Sequence, residues 1–242
     1  MLKKVFLFIL FFSIIVGVTK TQAQKNLQVL PKDISRDDLT DIMKSFTEGL
    51  GVRCNFCHEG EEGKPLSTYN FESDKKPEKQ QARLMMNMTK DINAKYLSEF
   101  SKYGKDIIKV KCITCHRGVA QPLPLEDLLY DKIKTDGLQP AITTYNNLYE
   151  KYYGASAYDF RDHSLQALVE KLIEEKMNDE AVTFASINID KYPNSGVANL
   201  GLAEAYEAKG DKENAKKYYQ KALELVPRGK DFIQKKLDDL SK

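Results

Sequence analysis

Cys54-Asn55-Phe56-Cys57-His58 and Cys112-Ile113-Thr114-Cys115-His116 are two copies of one pentapeptide, C-x-x-C-H. Together they use all 4 cysteines of the chain, so no thiol is left for a disulfide. The pattern is the attachment sequence for a c-type haem. Each residue type has a task in it. The paired cysteines add to the two vinyl groups of the porphyrin, and the adjacent histidine brings an imidazole under the iron. The sequence therefore implies two covalently bound haem c groups, held by Cys54, Cys57, Cys112 and Cys115, with His58 and His116 as proximal iron ligands. A four-cysteine zinc site or a thioredoxin-like dithiol would use the same cysteines. Neither accounts for a histidine after each pair, and the wide separation of the pairs is unlike a zinc ribbon.

Upstream of the first copy, Ser35-Arg36-Asp37-Asp38 reads as a helix start with an N-cap and acids in the first turn. Leu39, Ile42, Met43, Phe46 and Leu50 recur at helical spacing, and Gly51 is a C-cap. Met43 lies on that apolar stripe, where its thioether is either the second ligand of the first haem or a packing residue. Residues 58 to 78 read as loop, broken by Gly60, Gly63, Pro65 and Asn70, with Glu59, Glu61 and Glu62 as a solvated run. A long helix is expected from Pro77 to Phe100. Met85 and Met88 share a face with Ile92 and Tyr96, so either suits an iron, or both pack in a core. Met86 points about 100° away. Arg117 stands either beside a haem propionate or in solvent.

Four strings in this order resemble the cytochrome c subunit family of photosynthetic reaction centres. They are Leu50-Gly51-Val52-Arg53-Cys54-Asn55-Phe56-Cys57-His58, Asn70 through Lys79, Ala82-Arg83-Leu84-Met85-Met86-Asn87-Met88-Thr89, and Cys112 through Gly118. The resemblance covers residues 36 to 118. It implies that each haem lies along a Met-bearing helix with His and Met as axial ligands. It would pair Met43 with His58, and Met85, or secondarily Met88, with His116. The family's photosynthetic members carry four haem motifs where this chain has two, so the resemblance speaks to haem packing and electron transfer.

The N-terminus begins with Lys3 and Lys4, continues through the apolar run Val5 to Val18, and reaches the small residues of Thr21-Gln22-Ala23. This is the pattern of a secretory signal peptide, residues 1 to 23, cut after Ala23. The run is short for a membrane span, which needs about 20 residues; an uncleaved anchor is the competing reading. Export to the periplasm agrees with haem attachment, which is made outside the cytoplasmic membrane. Losing Lys3, Lys4 and Lys20 takes the net charge of +2 to just below zero. That excludes the basic footprint of a nucleic-acid binder.

Pro122 and Pro124 place a boundary after the second motif, giving a di-haem c-type cytochrome domain over 24–124 and a helical domain over 125–242. In the latter, Leu202, Ala203, Tyr206, Gly210, Ala215, Tyr219, Ala222 and Pro227 fall at tetratricopeptide spacing, with Pro193 one 34-residue period before Pro227. Ala181 with Leu172 and Val169 fits a degenerate preceding repeat. Leu138, Ala141, Tyr145 and Leu148 suggest a further helix, and residues 228 to 240 a cap. Such a stack either docks a protein partner or only covers the cytochrome domain. His163 reads as a surface residue at a helix start, or as a distant haem ligand.

The fold class expected is all-α: signal peptide, di-haem domain, repeat stack. The functional reading is an electron carrier, not an enzyme, serving a redox protein or membrane electron-transfer complex. A redox or gas sensor, and a di-haem peroxidase-like enzyme, are the alternatives. Both need one iron with an open coordination position.

Overall fold

The computed structural model describes residues 25–104, 108–226 and 228–242. The signal peptide assigned to residues 1–23, and Pro227 of the repeat pattern, lie outside them. Among the described residues there are ten α-helices, with short 3-10 and π segments beside them, and no β-strand, only an isolated bridge between Glu59 and Asn70. The all-α class read from the periodicities is the one observed. No helix among the described residues is long and apolar enough to cross a membrane. The chain divides into two compact units, the described residues of Met1–Glu48 with Val52–Lys111, and Gly49–Gly51 with Cys112–Lys242.

In the first unit, α1 (Arg36–Leu50) begins where Ser35 caps it. The Ser35 hydroxyl accepts the Asp38 N–H at 3.0 Å and donates to the Asp38 carboxylate at 2.7 Å. Val52 N–H closes the other end on Thr47 C=O at 3.1 Å, around Gly51 at φ +66°. This is the glycine-dependent stop that the left-handed region allows. Leu39, Ile42, Met43, Phe46 and Leu50 are half-buried, so the stripe expected from sequence is present.

Helix α2 (Pro77–Asp91) starts on a proline, whose missing N–H would have no helical partner there anyway. Its length corrects the sequence reading. Instead of running on to Phe100, the α-helix yields to a π turn at Ile92–Tyr96 and a 3-10 segment at Leu97–Tyr103, closed by Gly104 at φ +66°. The cause lies in Asn93. Its amide donates to Val110 C=O and its carbonyl accepts Val110 N–H, both at 2.8 Å. Gripping a distant backbone segment in both directions rotates Asn93 out of the ordinary helical register, as π turns do at functional positions.

Loop 70–76 is held by charge. Asp74 accepts from Asn26 at 2.9 Å and pairs with Lys79 at 3.2 Å and Arg83 at 3.0 Å. Lys79 Nζ, nearly buried, also donates to Phe71 C=O (2.8 Å) and Ser73 C=O (2.7 Å).

The second unit opens with α3 (Cys112–His116) and continues as helical hairpins: α4 (Leu125–Asp136) with α5 (Leu138–Tyr152), α6 (Asp162–Glu174) with α7 (Asn178–Lys191), and α8 (Gly196–Lys209) with α9 (Lys212–Leu225). Helix α10 (Lys230–Asp239) follows the last hairpin, as a closing cap would. Small residues set the helix spacing: Ala141, Ala181, Ala203, Ala215 and Ala222 have no exposed surface. Leu125, Leu129, Leu165, Leu168, Leu172, Phe184 and Tyr145 fill the core of the first two hairpins. Ala203, Tyr219, Ile233 and Leu237 carry it to the end. Ser195 and Asp211 cap α8 and α9, and Gly210 at φ +89° turns the chain between them.

Candidate haem-binding sites

The first motif is a 3-10 turn, Cys54–Phe56, in which His58 N–H bonds Cys54 C=O at 3.0 Å. The turn brings the His58 backbone back to that of Cys54. The His58 ring meets Phe71 edge-on at 4.9 Å between centroids. Burial, with the charges of Lys79, Arg83 and Lys76, pushes the His58 pKa down to about 4. The ring is therefore neutral at pH 7, the form that can ligate a metal. Its Nδ1 is buried without a hydrogen-bond partner, as is Nη1 of Arg83. Groups left so are costly, about 1–3 kcal/mol each.

The second motif is the short helix α3. It ends in Arg117 at φ +49° and Gly118 at φ +85°. His116 is buried, and its Nδ1 lies 3.0 Å from Val119 C=O. A carbonyl only accepts, so Nδ1 donates to it, and Nε2 is the ring nitrogen left for a metal. This is the arrangement by which metal-binding histidines are oriented. Gly118 N–H donates to Gly49 C=O at 2.9 Å. A Cβ on Gly51 would collide with the Gly118 carbonyl, and one on Gly49 would stand 3.1 Å from Ile113 N. The end of α1 therefore packs closely on the second motif, tightly at Gly49 and, at Gly51, in a way that only glycine permits.

Burial raises the thiol pKa of Cys57 and of Cys112. That is the reverse of the lowered thiol a dithiol redox centre uses. The four cysteines are not joined in disulfides. Among the described residues no group of three His, Cys, Asp and Glu is placed to hold a metal ion.

Met43 is half-buried on the inner stripe of α1. On α2, the covered face runs through Lys79, Ala82, Arg83, Met86 and Thr89. The opposite face shows Leu84 at 70%, Met85 at 40% and Met88 at 45% exposure. Phe56, Leu66, Phe71, Tyr96 and Phe100 of the same unit are exposed as well. Not one apolar side chain among this unit's described residues is buried. A folded unit of this size with no apolar core but abundant apolar surface fits a large apolar group. Arg117 donates to Ser156 C=O at 3.3 Å, and His163 stands exposed beside Asp159 at 3.1 Å.

The sequence reading missed Asn93, Lys79, Arg83 and the Gly49–Gly51 packing. Only the Asx-rich loop at Asn70–Asp74 hinted at any of them, because each acts on a partner distant in the chain.

The family model for the photosynthetic reaction centre cytochrome C subunit matches residues 16–160 of the chain. The tetratricopeptide repeat model matches residues 198–228. Cytochrome c-554 of Chloroflexus aurantiacus is 31% identical over 98 residues, which is 40% of this chain and 21% of that protein. The photosynthetic reaction center cytochrome c subunit of Rubrivivax gelatinosus is 31% identical over 112 residues, 46% of this chain and 26% of its own length. That of Thermochromatium tepidum is 30% identical over 91 residues, 34% of this chain and 21% of its own length. The chain thus spans about a quarter or less of the length of these curated relatives.

Proposed function

The chain belongs to the photosynthetic reaction centre cytochrome c subunit family, and from that premise we propose that it is an exported di-haem c-type cytochrome carrying single electrons between redox partners. Bound haem supplies a reversible one-electron couple at its iron. The chain's own residues hold it. Cys54 and Cys57, and Cys112 and Cys115, tether the two groups. His58, neutral at pH 7, and His116, with Nε2 free by its Val119 bond, ligate the irons. Met43 completes the first iron, and Met85 or Met88 the second, as the family resemblance implies. Arg83 offers a buried donor with no acceptor, which suits a haem propionate.

The observation that carries this reading is the coreless first unit, with its uncovered Leu84, Met85 and Met88 face. A methionine ligand to a bound haem would raise its reduction potential and would leave its iron without a position for an exogenous ligand. No general acid, base or nucleophile is required, in keeping with a carrier. Residues 1–23 direct export to the periplasm, residues 24–124 form the cytochrome domain, and residues 125–242 dock a redox protein or membrane electron-transfer complex.

The test is the absorption spectrum of the matured, reduced protein before and after carbon monoxide, with intact mass. Two haem additions on a chain starting at Gln24 and an unchanged spectrum are expected. Binding of carbon monoxide by half the haem would give one iron an open position and favour the sensor or peroxidase alternative. Replacing Met85 and Met88 by Leu one at a time should open the second iron in one variant only.

A further inference from the structure

Asn93 is half-buried and continues the covered face of α2 past Met86 and Thr89, while Met85 and Met88 stand exposed on the other side. Its amide takes both backbone groups of a single residue. It donates to Val110 C=O and accepts Val110 N–H, each at 2.8 Å. Asn93 and Val110 both belong to the first unit. The grip coincides with the π turn Ile92–Tyr96, where the helix leaves its regular bonding. Turns of this kind are rare and frequent at functional sites.

The use of the clamp lies in what Val110 leads to. Cys112, the first tether of the second motif, follows two residues later. Along the chain, residues 94–109 separate Asn93 from Val110, and closing a loop of that length costs entropy. With the clamp closed, Cys112 is no further from Val110 than two residues span, about 7 Å. In the other direction, Met88 and Met85 lie five and eight residues before Asn93. That is about 8 and 12 Å along the helix. One side chain thus fixes the methionine face of α2 against the backbone that enters the second motif.

A ligand set works only when its members are held to within about 0.5 Å by their supports. We propose that Asn93 is the positioning residue of the second haem, and that its hold on Val110 keeps Met85 or Met88 in reach of the iron that His116 ligates. The proposal rests on the di-haem reading given above and names the residue on which the second methionine ligand depends. A bond that only stabilised the fold would lower resistance to unfolding and leave the coordination unchanged.

The experiment takes the full, matured chain, counts haems by intact mass, and reads carbon monoxide uptake and midpoint potentials. The parent should take up none. Asn93→Ala should keep two haems and bind carbon monoxide at about half of them, with one midpoint moved down as its methionine is lost. Asn93→Asp keeps an acceptor for Val110 N–H but sets an oxygen against Val110 C=O. It should admit carbon monoxide at least tenfold faster than the parent. Should one of the two variants fail to mature, the other carries the test. Lys95→Ala, an exposed change in the same π turn, should match the parent.

Met43→Leu assigns the haem. It opens the first iron alone, so adding Asn93→Ala should take uptake from about half of the haem to all of it. Uptake that stays at half in the double variant would place the effect at the first haem and overturn the proposal. So would an Asn93→Ala protein as closed as the parent, even one that unfolds more easily. Carbon monoxide binding by the parent itself would overturn the two-methionine reading, and the proposal with it.

Discussion

Every helix from α4 to α10 buries at least one apolar side chain, from Leu125 to Leu237, whereas the first unit buries none among its described residues. In the repeats, alanines let helices approach and leucines fill the gaps. In the first unit, Asp74, Lys79, Arg83 and the Asn93–Val110 pair staple loops to α2 through polar contacts. Burial of apolar surface is cooperative and strong, at about 25 cal/mol per Å². Hydrogen bonds and exposed ion pairs each give about 1 kcal/mol or less. One unit carries an apolar core of its own, and the other leaves its apolar side chains half-buried or exposed.

The sharpest break in that comparison is removal of the haem. A chain with Cys54, Cys57, Cys112 and Cys115 replaced by Ala should lose hydrogen-exchange protection throughout α1 and α2 while α6 to α9 keep theirs. Protection retained in α1 and α2 would mean that the polar staples suffice. Next in size is a cavity in the repeats. Leu168→Ala, at a site with no exposed surface, should cost about 2–5 kcal/mol by denaturant unfolding. Exchange in α1 and α2 should stay unaltered.

Smaller is the loss of a cap. Ser35→Ala should cost the first unit about 1 kcal/mol, read as faster exchange at Asp38 and Leu39. Smallest is a pH effect centred on Asp74. Its hydrogen bond from Arg83, with those from Lys79 and Asn26, holds its carboxyl well below the usual range. A depressed folded pKa gives stability that is present above the unfolded value, about 3.9, and is lost as pH falls below it. Loop 70–76 should therefore open on acidification below about pH 4, ahead of the repeats. Asp74→Asn should flatten that acid response.

Much of this was legible beforehand, and the reason is locality. The two C-x-x-C-H copies, the stripe from Leu39 to Leu50 and the spacing from Leu202 to Ala222 each state their meaning within a few turns of chain. Helix α4 carries such a stripe too, in Leu125, Leu129 and Ile133, but the sequence reading takes Pro122 and Pro124 as a boundary and names its next helix only from Leu138. Asn93 looks like any helical surface residue until Val110 is placed beside it. Gly49 and Gly51 look like ordinary helix-end glycines until Gly118 closes on them. The covered face of α2 was unreadable for another reason. Lys79 and Arg83 lie on it, and charged side chains are expected outside unless a partner such as Asp74 draws them in.

The contact between Gly118 and the Gly49–Gly51 segment also has a history in time. The whole stretch Val52–Lys111 lies in the chain between these partners, so closing the loop demands entropy that grows with its length. During synthesis, the end of α1 has no second half to meet until residue 118 has been made. Contacts that wait on so long a closure are expected to form late in folding. Substitution of Gly51 should then hasten unfolding far more than it slows folding, setting the lifetime of the finished molecule more than the speed of its making.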